Sequence, residues 1–375
     1  METVSAAVCN TYDPAEVLES VRNAVEMAGF TIPEGKTVLI KPNVMSQNRP
    51  EQHSITHYSV VDAICVLLKE KRCRIWIGES GAFYQKGLTA EGFRISGIAA
   101  VAEKYGAELL AFEEQPLTAI PTSLHGHKEI YIARALLEAD LVIDACKLKS
   151  HASMRFSGAI KNMFGCVPGG MKQKIHIWAD SELALADVFL DIHESVRPSL
   201  SIMDAVYGLD GGPSAIGTPV RIGRIFASTN AAALDTVTGR MIGYEPLEIP
   251  ALVRAKARGM IGDFDEINVI GSIEPVRFKH LTRGEFGIKY DKNSIFVCNT
   301  YIDVKIDESR CSRCGRCAEI CPAGAITGAQ GAFQIERERC VNCYYCMHIC
   351  PEQAILEDPS AMNRFIRAAR CLIRI

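Results

Sequence analysis

Two cysteine runs constrain this chain more than anything else in it. CSRCGRCAEICP, residues 311–322, and CVNCYYCMHICP, residues 340–351, share the spacing C-x2-C-x2-C-x3-C-P, and the second repeats the first after 29 residues. Such close spacing lets three thiolates from one turn reach three corners of an iron–sulfur cube. The fourth cysteine, followed by proline, reaches the other cube. The pattern therefore predicts two [4Fe–4S] clusters, one held by Cys311, Cys314, Cys317 and Cys350, the other by Cys340, Cys343, Cys346 and Cys321. The crossed fourth ligands tie the halves together and replace the core that so short a segment lacks. Structural zinc, the alternative, takes four ligands in C-x2-C pairs, which a triple run plus C-P does not supply.

The flanks agree. Each run is preceded by an apolar-containing piece, DVKIDES and AFQIERE, and followed by another, AGAIT and EQAIL. Residues 303–358 resemble the two-cluster bacterial ferredoxins throughout. Beyond them, residues 359–375 form a basic amphipathic tail, with Arg364, Arg367, Arg370 and Arg374 set among Met362, Phe365, Ile366, Leu372 and Ile373. Its short length favours docking on protein over membrane contact. Of the 15 cysteines, Cys9, Cys65, Cys73, Cys146, Cys166, Cys298 and Cys371 lie outside the runs and read as small buried hydrophobes.

The net charge of −3 gives no reason to expect nucleic acid as a partner. METVSAAVCNTYDPAEV lacks the basic and apolar regions of a signal peptide, and no apolar run is long enough to span a bilayer. The expected location is the cytoplasm, and dense non-exported cysteine argues for metal rather than disulfides.

Residues 1–300 read as one α/β domain. Expected strands are 36–43, 73–80, 139–149, 198–206, 221–228 and 267–272; expected helices are 14–29, 58–71, 96–106, 181–196 and 230–243. The strands are near-continuous apolar runs, as in a mostly parallel sheet covered by helices on both faces. Ligands of such sheets bind beyond the carboxyl ends of the strands. Lys41 and Asn43 follow one run, Glu79 and Ser80 a second, Lys147, Lys149 and His151 a third, and Asp204 a fourth. Charged residues so close to buried runs point to one shared site, although loops at strand ends are ordinarily polar. Gly211 and Gly212, in GLDGGPSAIG, could bring backbone close to a ligand.

Residues 150–179 carry Arg155, Lys161, Lys172, Lys174, His151 and His176 and no Asp or Glu. A solvated basic face would not be interleaved with Phe156, Met163, Phe164 and Val167. FSGAIKNMFG reads as a helix whose first-turn N–H groups, with Lys161 and Asn162, make an anion site. Three decoys drop out: GFTIPEGKT precedes a strand and has the wrong glycine spacing for a phosphate loop, no G-x-G-x-x-G opens a helix, and the pairs His53/His57 and His125/His127 lack acidic or thiol companions.

The motifs VLIKPN, IGES, KLKSHASMRFSGAIKNMFG, VPGG with KQKIH, and DAVYGLDGGPSAIGTP with GRIFASTNAAALD are similar, in content and order, to the family catalogued as domain of unknown function 362. The resemblance covers most of residues 3–300. It implies Lys41, Asn43, His151, Lys161, Asn162, Lys172, His176, Asp204 and Asp235 as site candidates; Glu79 stands where aspartate is common in that family.

The resulting expectation is an iron–sulfur oxidoreductase. Two clusters exchange single electrons with the α/β site, Lys161 and Lys172 hold a small anionic substrate, and His151 or His176, oriented by Asp204, gives the proton. One alternative is an electron carrier whose α/β domain docks a separate redox partner protein through the cationic stretch. Another is a non-redox transferase or isomerase with structural clusters.

Overall fold

The computed structural model describes residues 2–81, 87–151, 153–211, 217–279, 302–329 and 332–365. Its larger part is built on β1 (Thr3–Val8), β2 (Thr37–Pro42), β3 (Arg74–Glu79), β4 (Glu108–Ala111), β5 (Leu117–Pro121), β6 (Glu129–Ala133), β7 (Leu141–His151), β8 (Arg155–Ser157), β9 (Leu200–Asp210), β10 (Thr218–Ser228) and β11 (Asn268–Gly271). The main sheet runs β11-β1-β10-β9-β7-β2-β3-β4, with β8 folded back on the end of β7 and β5–β6 a separate hairpin. β4, β3, β2, β7 and β9 are parallel to one another, and β10 runs against both β9 and β1.

Alternation along the strands feeds two cores. Leu39, Val142, Met203 and Phe226 point to one face, where the helices Glu182–Val196 and Ala231–Met241 add Phe189 and Leu234. Val38, Ile40, Ile143, Ile202 and Ile225 point to the other, covered by Val17, Val21, Val60 and Ile64 of Pro14–Met27 and Tyr58–Glu70. Each aliphatic side chain so buried contributes roughly 1.5–3 kcal/mol, which is why strands buried on both sides read as unbroken apolar runs. Side-chain caps fix the helix starts: Asp13 accepts from Ala15 and Glu16 N–H ahead of Pro14, Ser181 from Ala184, and Asn230 from Ala233.

The six strands and five helices given ranges from the sequence are all present, with shifted ends. β1, β4, β5, β6 and the helices Leu88–Ile95 and Pro250–Ala257 were not expected. The expected FSGAIKNMFG helix is a correction. Phe156 and Ser157 belong to β8, and only Ala159–Asn162 is α-helical before a 3-10 turn, Met163–Cys166.

The smaller part pairs β12 (Asp303–Ile306) with β15 (Ile355–Asp358) and β13 (Ile326–Ala329) with β14 (Ala332–Ile335), all antiparallel. A short helix follows each cysteine loop, Arg316–Glu319 and Tyr345–Ile349. The two halves repeat in backbone as well as in sequence. Left-handed residues recur at equivalent places: Arg313 and Asn342 (φ 59° and 54°), Gly315 and Tyr344 (78° and 63°), Gly324 and Gln353 (54° and 49°). Of the tail, the residues to Phe365 are described; the remaining arginines at 367, 370 and 374 lie outside the described residues, as do Gly212, Cys298 and Cys371.

Candidate functional site

The eight cysteines of the runs surround two separate cavities. Cys321, Cys340, Cys343 and Cys346 line one. Cys311, Cys314, Cys317 and Cys350 line the other. This is the crossed set the spacing predicts, and each cavity offers four thiols to one cube. The second cavity is nearer solvent, with Cys314 exposed; in the first, Cys343 is buried in the core of the α/β sheet. Cys9, Cys65, Cys73, Cys146 and Cys166 are all buried away from both, and burial pushes the thiols of Cys9 and Cys65 up to about 11 and 12.

The polar residues at the strand ends form a buried network in two groups. In the first, Lys41, with no exposed surface, is ion-paired to Glu79 and donates to the Pro42 carbonyl at 2.9 Å and Asn162 Oδ1 at 3.2 Å. Asn162 Nδ2 donates to Asp144 Oδ1 at 2.6 Å, and Asn43 Nδ2 donates to Asn162 Oδ1 at 2.9 Å. Register explains the meeting, because Lys41 of β2 lies directly beside Asp144 of β7. Burial raises the pKa of Glu79 against the pull of the Lys41 and Lys172 charges, and raises Asp144 to about 7. Gly165 makes this packing possible: a Cβ there would collide with the Lys41 amine at 2.6 Å and with Glu79.

The second group centres on Lys147 and Asp204, neighbours in register on β7 and β9 and 3.0 Å apart. Tyr12, which the sequence reading missed, bridges them: its hydroxyl accepts from Lys147 at 2.8 Å and donates to Asp204 at 2.9 Å. The backbone N–H of His57 donates to the other Asp204 oxygen at 2.9 Å, and the His57 ring stacks on Tyr12 at 3.8 Å. Burial pushes the His57 imidazole down to about 4. Asp204 thus holds Lys147 and the start of the Tyr58–Glu70 helix, which replaces the expected role of orienting His151 or His176. Between the groups, the Lys149 amine donates to Asn43 Oδ1 at 2.7 Å and the Ser54 carbonyl at 2.8 Å.

The cation-only stretch divides in its uses. Its anion at the helix start is the protein's own: Asp235 accepts from the N–H groups of Ala159 at 2.7 Å and Ile160 at 3.0 Å. That corrects the expected N-terminal anion site, and burial lifts the Asp235 carboxyl to about 7. Lys172, expected to grip an anion, is buried and donates to the carbonyls of Ser80 at 2.8 Å and Gly81 at 2.7 Å. Lys174 donates to the Cys340 carbonyl. Arg155 faces Glu182 at 3.6 Å. His151 Nδ1 accepts from the N–H groups of Ser153 and Met154 in the β7–β8 turn, and His176 meets Phe164 edge-on at 5.4 Å. Gly211 is left-handed at the end of β9.

Lys161 remains. Among the described residues its amine has no ion pair or hydrogen bond and lies 5.8 Å from the Phe189 ring. Desolvation, then the Lys41 charge, lowers it from 10.5 to about 8. The Lys161 charge in turn helps hold Lys149 well below the lysine range, after burial. Lys149 and Lys161 thus act on each other through charge, and neither has a carboxylate partner among the described residues.

The fold and the cysteine cavities define an iron–sulfur protein with two [4Fe–4S] sites appended to an α/β domain. Comparison with known proteins agrees: the pattern described as "4Fe-4S binding domain" matches residues 304–327 and 333–356. The family described as "Domain of unknown function (DUF362)" matches residues 38–240, more than half of the chain, and the chain belongs to that family. A thylakoid-associated protein of Synechocystis, sll1697, is 29% identical over 265 residues, covering 69% of this chain and 80% of that protein. The lactate racemase apoprotein from Thermoanaerobacterium thermosaccharolyticum is similar with a TM-score of 0.40 at 16% identity, covering 62% of this chain and 55%, little more than half, of the racemase. Among the described residues no helix is long and apolar enough to cross a membrane.

Proposed function

We propose that this protein is an oxidoreductase that exchanges single electrons between its iron–sulfur module and a small anion held at the strand ends by Lys161. One observation carries the reading. The segment Gly169–Lys174 touches both partners: the Gly170 N–H donates to the Asn342 carbonyl at 2.9 Å and Lys174 to that of Cys340, while Lys172 donates to Ser80 and Gly81 and the Gly169 N–H to Ser80 Oγ at 3.3 Å. The cysteine loop of one cluster and the end of β3, next to Glu79 and Lys41, are thus joined by six residues of chain.

When bound, the clusters supply electrons one at a time. Lys161 attracts the anion, and Asn43 Nδ2, which gives one hydrogen to Asn162 Oδ1, has a second to offer. Lys161, His151 and His176 are the candidate proton donors. Cys343, inside the α/β core, keeps water from the inner cluster.

The test is native mass spectrometry of anaerobically purified protein against Lys161→Met. Wild type should retain a small anion that the variant lacks, with cluster absorbance equal in both. Retention should also weaken as pH rises through about 8, where Lys161 loses its proton, rather than near its ordinary 10.5. The sign follows from the lowered pKa: the ammonium is complete below 8 and gone above it. An empty wild-type chain would move the reading to the carrier alternative, which the exposed Cys314 favours.

A further inference from the structure

The two halves of the iron–sulfur module are alike in backbone and opposite in surface. Around the inner cluster, Val341, Asn342, Tyr344, Tyr345 and Met347 fill the positions between and beside the cysteines. Val341 and Tyr345 pack against the α/β core, and Asn342, Tyr344 and Met347 are buried. Tyr344 accepts left-handed geometry that disfavours a bulky residue. Its ring lies against Gly169 and Gly170, where added Cβ atoms would meet it at 2.7 and 2.9 Å, and its hydroxyl donates to the Ile302 carbonyl at 2.7 Å. His348 stands 3.6 Å from Glu114 of the α/β part. This face is an interface.

At the outer cluster the residues 29 positions earlier are Ser312, Arg313, Gly315, Arg316, Ala318 and Glu319. Ser312, Arg313, Cys314, Arg316 and Glu319 are exposed. The same face of the repeat that is docked in one half is open in the other, and its bulky neutral residues are replaced by small ones and arginines. From Arg310 to Cys317 the chain has three arginines and no carboxylate. Arg310 is held by Asp307 at 3.4 Å, whereas Arg313 and Arg316 form no ion pair among the described residues. The carboxylates of this half lie outside that run and include Asp307 and the exposed Glu308 before it, Glu319 at the end of the same short helix, and Glu352 beside Cys350.

We infer that the outer-cluster face, carried by Arg313 and Arg316, is the docking surface for an acidic electron-carrier protein. The inference rests on the electron-transfer reading above and adds its external partner. Arginine suits such a surface, because its planar fork grips carboxylates in pairs, and exposed charge steers encounter more than it adds affinity. In the reducing direction the carrier would be oxidised by one electron and the cluster held by Cys311, Cys314, Cys317 and Cys350 reduced by one, with no bond made or broken.

The test uses the anaerobic, cluster-loaded full chain and photoreduced flavodoxin, an acidic flavoprotein, with cluster bleaching followed by stopped flow. Arg313→Glu/Arg316→Glu should slow the second-order rate at least about ten-fold, while dithionite reduces variant and wild type alike. The wild-type rate should fall as salt is added. Arg72→Glu/Lys256→Glu, the same charge change on exposed residues of the α/β part, should leave the rate unchanged. If the first variant loses iron, Arg313→Gln/Arg316→Gln is read instead and should be at least about three-fold slower. An unchanged flavodoxin rate with intact clusters, a salt-independent wild type, or equal slowing by the control pair overturns the inference. Failure of both flavodoxin and dithionite to reduce the wild type would instead sink the electron-transfer reading on which it rests.

Discussion

Lys41 is the residue on which the strand ends depend most. An ammonium with no exposed surface persists only because Glu79, Asn162 and the Pro42 carbonyl surround it. Buried pairs of this kind add little net stability, since desolvation offsets attraction, but removing one partner strands the other. Lys41→Met should therefore lower unfolding stability by about 3–5 kcal/mol, read as a shift of the urea midpoint of the cluster-loaded chain. Lys41→Met/Glu79→Leu, which removes both charges, should recover at least half of that loss. Equal loss in the single and double variants would show that packing around Gly165, not the stranded charge, sets the cost. Lysines at buried strand ends could be read from the sequence because each directly extends an apolar run. Tyr12 could not: its partner Asp204 is 192 residues away, and nothing in its neighbourhood announces the contact. The same limit hid the destinations of Lys172 and Lys174, whose acceptors are backbone carbonyls and leave no side-chain signature.

Among the elements, the helix Met171–Trp178 and the glycines before it decide whether the two parts of the chain meet. Gly169 is left-handed at φ +56°, and a Cβ on it would lie 2.8 Å from the Cys343 carbonyl and 3.0 Å from that of Asn342, both backbone atoms that cannot swing aside. Gly169→Ala should displace the inner cysteine loop, changing the electron paramagnetic resonance spectrum and midpoint potential of the inner cluster while leaving the outer one as it is. Gly35→Ala supplies the comparison, being left-handed at φ +67° with open space around it; it should alter neither cluster. Matching changes in both variants would assign the effect to backbone strain alone. The long strands could be read from their apolar runs. MKQKIHIW could not be read as a helix, because its Lys174, Ile175, His176, Ile177 order alternates like a strand, and contacts on both sides settle the matter. ELLA failed for the opposite reason: β4 is four residues long and continues what looks like a helix.

At the scale of the molecule, the two parts differ in what keeps them folded. The α/β part has two continuous cores, one on each face of its sheet. The iron–sulfur module has a small one, Val304, Tyr344, Met347 and Ile355, and Tyr344 owes part of its burial to the α/β part. So small a core does not offset the entropy of ordering the chain, and the clusters must supply the difference. Removing iron with a chelator under oxidising conditions should therefore unfold residues 303–358 first. Hydrogen exchange followed by mass spectrometry should show those amides losing protection while β2, β3, β7 and β9 keep theirs. Gly169–Lys174 is shared by both parts, so its amides should quicken too, because the Asn342 and Cys340 carbonyls leave while Ser80 and Gly81 stay. A simultaneous loss of protection across the sheet would mean that the docked face welds the chain into one cooperative unit. In that case the inner cluster is a structural member of the α/β fold, and the strand-end site could not be studied apart from it.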